Sequence, residues 1–415
     1  MNKKIKQWSI NSFLQYIFVF LTILQCNSVF FRQSETNHEK IVTLMWIASM
    51  LSLFVLAAVQ SVKGKYNVWK PMKFVTIWGV VVVSFIAISY LRYPFSLTFV
   101  ATLLIPVIMV PVFFVDFKNG SMEAILIKFK KLTVLLAIVS LFFWIFAIMG
   151  VHPTSSVVIN WGNPRAIYGY YNVHYIAQGS ITFLGIPGII RNTGIFVEAP
   201  MYSYILCMAL LVSIFLEPQR KGYSKSSLLL MITILTTTSS TGTIILVIIV
   251  FGKAIFLSPR LSNPLKSLIA ICILPIVIMI IMSIVEKKMD TRWNSSTGIR
   301  LNDFVAGYNA WKRHMIMGNG INNYGVLIEN MDYRRTFIGN NSGFSTGFME
   351  TLAYGGLAAA SYYIAPLIAL AFRNRKIFLM GAVTFVLFMF TLVNNVYLFY
   401  VFISYFWTVC LIDKK

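Results

Sequence analysis

The sequence predicts an all-α polytopic membrane protein of about 12 transmembrane helices. Three observations predict it. Hydrophobic residues fill 58% of the 415 positions and charged ones 12%, against roughly 25% charged residues in a soluble domain. Apolar runs recur from end to end and give a mean hydropathy of +0.76. Basic residues cluster between alternate runs, the positive-inside pattern of an inner membrane protein.

Taken in order, the spans read 10–31, 41–62, 74–91, 95–115, 132–150, 199–216, 228–240, 242–257, 267–285, 348–372, 377–393 and 396–412. Lys3, Lys4 and Lys6 precede the first run as in a signal peptide. No small-x-small cleavage site follows, and Gln25 before Cys26 does not fit a lipoprotein, so the run reads as an uncleaved span. Inner loops are marked by Lys63, Lys65, Lys70 and Lys73, then by Lys118, Lys128, Lys130 and Lys131. Arg220, Lys221 and Lys225, Arg260 and Lys266, and Arg373, Arg375 and Lys376 mark three more, and Asp413-Lys414-Lys415 leaves the C-terminus cytoplasmic with the N-terminus. The stretch 120–131 sets Ile125, Leu126, Ile127 and Phe129 against Lys128, Lys130 and Lys131, the pattern of an interfacial helix.

The segment 228–257 decides the parity. One helix of that length is roughly 45 Å long, against a hydrocarbon core of about 30 Å. Its middle, Thr236-Thr237-Thr238-Ser239-Ser240-Thr241-Gly242-Thr243, predicts two short helices meeting at a polar turn. Two large outer loops remain in a single integral membrane domain, 151–198 and 286–347. Loops this long are either functional or disordered, and their aromatic, glycine-punctuated sequence favours an ordered, functional role. No internal repeat is visible, which disfavours an inverted-repeat transporter.

The net charge of +22 invites a nucleic-acid reading. Its distribution removes it: the predicted topology puts roughly 22 of the 35 Lys and Arg on the inner side, with only Asp116, Glu123, Glu217 and Asp413 to oppose them. Cys26, Cys207, Cys272 and Cys410 all fall in apolar spans and read as small core residues, without disulfide or metal spacing.

Chemistry is predicted at the outer face. Arg191 opens Arg191-Asn192-Thr193-Gly194-Ile195-Phe196-Val197-Glu198-Ala199-Pro200. Pro200 suits a first helical turn, and a carboxylate there is favoured by the helix dipole. Glu198 is then either a general base for a sugar hydroxyl or the counter-ion of Arg191. Arg300 lies in Thr297-Gly298-Ile299-Arg300, read as a turn leading into a helix over 302–314 with Phe304, Tyr308 and Trp311 at helical spacing. Guanidinium groups suit bidentate phosphate contact, so the two arginines suggest a site for a membrane-borne pyrophosphate. Arg334 and Arg335, with Lys312 and Arg313, form a second basic group, either a solvated loop face or a holder of diphosphate or anionic glycan. His38, His152 and His174 show no metal spacing, and no bound metal is implied. His314 follows Lys312-Arg313, which favours its neutral form. His314 and His174 are the histidine candidates for a base or substrate contact. Trp161, Tyr168, Tyr170, Tyr171 and Tyr175 either stack on sugar rings or form an interface belt. Glu350 is costly in lipid and is expected to face a cavity or a partner such as Arg300.

At these residues the chain resembles the O-antigen polymerase (Wzy-type) and O-antigen ligase superfamily of bacterial inner-membrane glycosyltransferases. Four local patterns carry the resemblance: Arg191-Asn192-x-Gly194-x-Phe196-x-Glu198-x-Pro200; the Thr/Ser-Gly turn at 236–243; Gly298-Ile299-Arg300 with Gly318-Asn319-Gly320; and Asn341-Ser342-x-Phe344 before Glu350 and Gly355-Gly356. The N-terminal half is similar only in hydropathy. The resemblance implies a GT-C-like architecture without cofactor or metal. It implies that Arg191 and Arg300 bind the pyrophosphate of undecaprenyl-linked oligosaccharides; Arg335, from the second basic group, is a further candidate for that contact. Ligases carry a histidine just before the Asn of the fourth pattern. Asn340 stands there in this chain, which favours the polymerase branch and leaves Glu198, then His314, as candidate base, with Asn340, Asn341 and Glu350 as further contacts. The implied partners are lipid-linked donor and acceptor, membrane lipid, a chain-length regulator and a flippase. A flippase or other transporter is the rival reading, and it predicts a polar path across the spans.

Overall fold

The computed structural model describes residues 2–34, 36–94, 101–161, 163–183, 186–217, 222–256, 296–338 and 341–412. Helices occupy the apolar runs: α1 Asn2–Gln25, α2 His38–Gly64, α3 Trp69–Arg92, α4 Ile105–Lys118, α5 Ala124–Ile148, α6 Ala199–Phe215, α7 Lys225–Thr236 and α8 Ser240–Phe256. After these come α9 Ser296–Arg313, the short α10 Tyr324–Ile328, α11 Gly347–Arg373, α12 Arg375–Phe390 and α13 Tyr397–Leu411. Four of them, α2, α3, α5 and α11, are long and apolar enough to cross a membrane. The expected span 267–285, with Cys272, lies outside the described residues. The chain is thus predominantly helical, with apolar helices that suit a membrane-embedded protein.

One helix differs from expectation. The stretch 120–131 is not a separate interfacial helix: from Ala124 onward it forms the first turns of the continuous α5. Ile125, Leu126 and Phe129 are buried within the fold, so protein takes up the apolar face assigned to the membrane surface.

The chain forms two compact units. The first comprises Met1–Met72, Ile108–Leu246 and Val396–Val401. Its centre is α6, packed against α5 and α7. Every residue of α6 except Pro200 is buried, as its all-round apolar sequence requires. The large loop 151–198 holds β structure. Strands β1 Ser155–Trp161, β2 Asn163–Tyr170 and β3 His174–Ile176 form an antiparallel meander, and β4 Ile181–Phe183 pairs with β5 Ile186–Ile189.

The meander has partners on both sides. Ser34 N donates to Val158 O at 3.0 Å and Asn160 N to Arg32 O at 2.9 Å. On the other side Tyr175 N donates to Gly194 O at 2.8 Å. The two flanking segments then pair with each other, Val29 N with Ile195 O at 2.8 Å and Val197 N with Asn27 O at 3.1 Å. Five segments therefore close into a β ring around Val29, Ile159, Ile167, Tyr175, Ala177 and Val197. Closure ties the loop after α1 to the segment that leads into α6.

The second unit comprises Lys73–Val107, Val247–Asn395 and Phe402–Lys415. Within it α11 packs on α9 and α12. It is broken at Gly356, with φ 58° and ψ −155°, a region open in practice to glycine alone. The break frees backbone groups that must find partners. Leu357 N donates to Met315 O at 2.9 Å and Ala358 N to Ile316 O at 3.0 Å. In return Asn319 N donates to Ala353 O at 2.9 Å and Gly320 N to Tyr354 O at 3.0 Å. Asn319 Nδ2 adds bonds to Ala310 O at 2.8 Å and Ala353 O at 2.9 Å. The Gly318-Asn319-Gly320 segment is thus the plug of the broken helix.

Candidate functional site

The segment from Arg191 to Pro200 links the β ring to α6, and its polar residues divide into two kinds. Asn192 and Thr193 are fully buried. Asn192 N and Nδ2 donate to Thr236 O and Oγ1, both at 3.1 Å, and Asn192 Oδ1 accepts from Gly194 N at 3.1 Å. Thr193 Oγ1 donates to Tyr175 O at 2.6 Å. Gly194 turns the chain at φ 55°, and a Cβ there would stand 3.1 Å from the Tyr202 ring. Phe196 is buried and stacks on Tyr202, centroids 5.3 Å apart. Arg191 and Glu198 are the only polar side chains of the segment that stay part-exposed.

Arg191 meets the polar turn predicted between α7 and α8. Its Nε donates to Thr238 Oγ1 at 3.1 Å and Thr237 O at 3.3 Å. The helix is interrupted there: α7 ends at Thr236 and α8 starts at Ser240, and a Cβ on Gly242 would stand 3.4 Å from Ile234 Cγ2, whereas one straight helix holds residues so spaced about 12 Å apart. The two-helix expectation holds. Thr238 has φ 53°, a strained conformation for a β-branched residue. The surroundings hold it there, and its hydroxyl orients Arg191. The Thr run was visible in the sequence; its contact with Arg191 was not. Glu198 is the N-cap of α6 in extended conformation, with Pro200 in the first turn, so its carboxylate sits at the positive end of that helix dipole.

The second unit corrects two expectations. Residues 297–300 are helical, because α9 already includes Ser296, and Arg300 lies half-buried in its second turn. Phe304, Tyr308 and Trp311 lie at helical spacing as expected and serve packing: Phe304 packs on Phe390, the exposed Tyr308 meets the Trp311 ring with centroids 5.8 Å apart, and Trp311 Nε1 donates to Met315 O. Arg335, expected on a solvated face or on a diphosphate, is 1% exposed. It pairs with the buried Asp303 at 2.6 Å. Its other donors go to Asn302 Oδ1 at 3.1 Å, Asn341 O at 3.1 Å, Ile299 O at 3.3 Å and Gly343 O. Its guanidinium is spent on holding the loop, so it is not a pyrophosphate ligand. Burial raises the Asp303 carboxyl, and Ser345 and Arg335 pull it back. Arg334 is exposed and paired with Asp332 at 2.8 Å, Arg313 pairs with Glu329 at 2.8 Å, and Lys312 Nζ lies 4.7 Å over Tyr308.

Other expected contacts fall on both sides of the surface. Tyr170 is buried and donates to Val151 O at 2.6 Å, so it is not available to a glycan. Its neighbour Tyr171 is exposed. Trp161 is half-buried in the β ring with the Arg32 guanidinium 5.5 Å over it. His314 is exposed. Asn341 accepts from Gly343 N at 3.1 Å, closing a local turn; Asn340 lies outside the described residues. Glu350, expected to face a cavity or a partner such as Arg300, accepts from Asn394 Nδ2 at 2.6 Å.

His174 is not positioned as a base for substrate. It is 1% exposed between Phe143 and Tyr170, and burial lowers its pKa from 6.5 to about 4. A histidine held neutral in the native state favours unfolding when the unfolded chain protonates. Its contribution is therefore complete above pH 6.5 and falls as pH drops toward 4, by roughly 3 kcal/mol at most. Thermal unfolding in detergent between pH 7.5 and 4.5 checks this. The wild type should lose stability more steeply on acidification than His174→Phe; parallel curves contradict it.

Among the described residues no three His, Cys, Asp or Glu side chains come together to hold a metal ion. No protein-family model matches the chain, and no curated protein matches it.

Proposed function

We propose that the protein is a polysaccharide polymerase acting on undecaprenyl-pyrophosphate-linked oligosaccharide units at the outer face of the bacterial inner membrane, with both termini cytoplasmic. The observation that carries this reading is the division within Arg191–Pro200. Its buried residues are tied into α6, α7 and the β ring, while a guanidinium and a carboxylate remain at the surface. A hydroxyl of the acceptor attacks the anomeric carbon of the donor, and the bond to the pyrophosphate oxygen breaks with inversion. Glu198 takes the hydroxyl proton, and Arg191 meets the negative charge that grows on the leaving pyrophosphate. Arg300 is assigned the same kind of phosphate contact and is tested on its own. The exposed Tyr171 is a candidate platform for a sugar ring.

A deletion strain complemented with wild type, Arg191→Lys, Arg300→Lys or Glu198→Gln, with the surface glycan sized on a gel, tests the reading. Single repeat units are expected in the deletion and in both Arg→Lys strains, at normal membrane levels of protein. Each guanidinium is expected to contribute about 10²-fold or more to the rate, and Glu198 about 10²–10⁴-fold if it is the base. Long polymer left on its carrier lipid in the deletion points to a ligase, and units trapped inside the cell point to a flippase. Either outcome overturns the proposal.

A further inference from the structure

The exposed face of α9 carries a narrow apolar stripe where a loop helix in water is polar. Leu301, Val305 and Tyr308 are 54%, 55% and 42% exposed. Their spacing puts them in one narrow stripe, continued by Lys312, whose ammonium lies 4.7 Å over the Tyr308 ring. The opposite face is already used: Asp303, Ala306 and Ala310 are fully buried, and Ala306 and Ala310 pack with Ala353 and Tyr354 of α11. Asn309 and Arg313 are exposed to one side of the stripe.

The surroundings indicate what covers it. Past the end of α9, Met315 and Ile316 are 47% and 69% exposed. Their carbonyls accept from Leu357 N and Ala358 N of α11 at 2.9 and 3.0 Å. Leu357 is itself 51% exposed, on a helix long and apolar enough to cross a membrane. Beyond the exposed Lys312, Arg313 and His314, apolar exposure thus resumes at Met315 and Ile316 and is joined by hydrogen bonds to the exposed Leu357 stretch of α11. Lys312 completes the arrangement, with its stem along an aromatic ring and its charge at the rim, as at a membrane interface.

We propose that α9 lies along the membrane surface with the Leu301–Val305–Tyr308 stripe among lipid acyl chains. The second large loop is then a platform resting on the bilayer. This inference is independent of the reaction proposed above.

Spin labels on single cysteines test it, in the full chain in phosphatidylcholine nanodiscs. Cys26, Cys207 and Cys410 are buried, so a Cys272→Ala background serves as the blank. Labels at Leu301→Cys, Val305→Cys and Tyr308→Cys are expected to collide more with oxygen than with a water-soluble nickel chelate. The preference should reverse at Asn309→Cys. Stripe labels that behave like Asn309→Cys, or that neither reagent reaches, overturn the proposal, the second outcome meaning that protein covers the stripe. A second measurement needs no variant: wild type is irradiated in bilayers carrying a diazirine on the acyl chain. Adducts on residues 301–308 are expected, and their absence beside adducts on α11 counts against the proposal.

Discussion

Gly356→Ala is expected to remove most of the folded protein. At φ 58° and ψ −155° the new Cβ would stand 2.4 Å from Ile316 O. Neither side can give way cheaply, because Ile316 O already accepts from Ala358 N and the adjoining Met315 O from Leu357 N. Relief requires the Gly318-Asn319-Gly320 plug to leave, which strands carbonyls of a broken helix in an apolar setting. The backbone strain alone costs about 1–3 kcal/mol, and the lost hydrogen bonds add about 1–3 kcal/mol for each group left unsatisfied. Gly79→Ala in α3 is the control, since nothing stands within 4 Å of its Cβ; there a helical alanine is stabilising by up to about 1 kcal/mol. Monodisperse yield and melting temperature in detergent distinguish the two. Normal folding of Gly356→Ala would show that the break is not required.

The second large effect is expected at Arg335. Replacing it with Met leaves the Asp303 carboxylate buried without its cation, at a cost of about 3–5 kcal/mol. The loss also releases four protein acceptors that one guanidinium now joins, from Ile299 to Gly343. Two comparisons separate a buried pair from general damage. Arg334→Ala, on the exposed neighbour, is expected to leave the melting temperature unchanged. Adding Asp303→Leu to Arg335→Met is expected to restore part of the loss, because the unpaired charge is removed. Equal melting of the two single variants would contradict the assignment.

These two sites mark what the sequence could and could not carry. Apolar runs gave the helices because burial of a whole helix surface leaves a periodic or continuous signal, as in α6. The Thr-rich run likewise revealed the turn between α7 and α8. The β ring was invisible for two reasons. Its β3 has only three residues, too few to show alternation, and its closing segments, 27–34 and 193–197, lie more than a hundred residues apart. Adjacent residues of one type were also indistinguishable. Arg334 is exposed and Arg335 buried, and Tyr171 is exposed while Tyr170 is buried. Only tertiary burial separates them. Gly318, Asn319, Gly320 and Gly356 were recognisable as a pattern, but their reason, the plugging of a broken helix, is a contact between distant segments. Arg191 and Glu198 were legible because charge beside an apolar span is costly and stands out. The partner that orients Arg191, Thr238, was not, because its strain appears only in the backbone.

The most direct measurement of the central claim uses the purified full chain in nanodiscs, supplied only with undecaprenyl-pyrophosphate-linked repeat units. A ladder of glycans should form, with one undecaprenyl pyrophosphate released for each unit joined, and Arg191→Lys in a folded, monodisperse preparation should slow it by about 10²-fold or more. Substrate recovered unjoined, with no pyrophosphate lipid released by a folded wild type, would contradict the account.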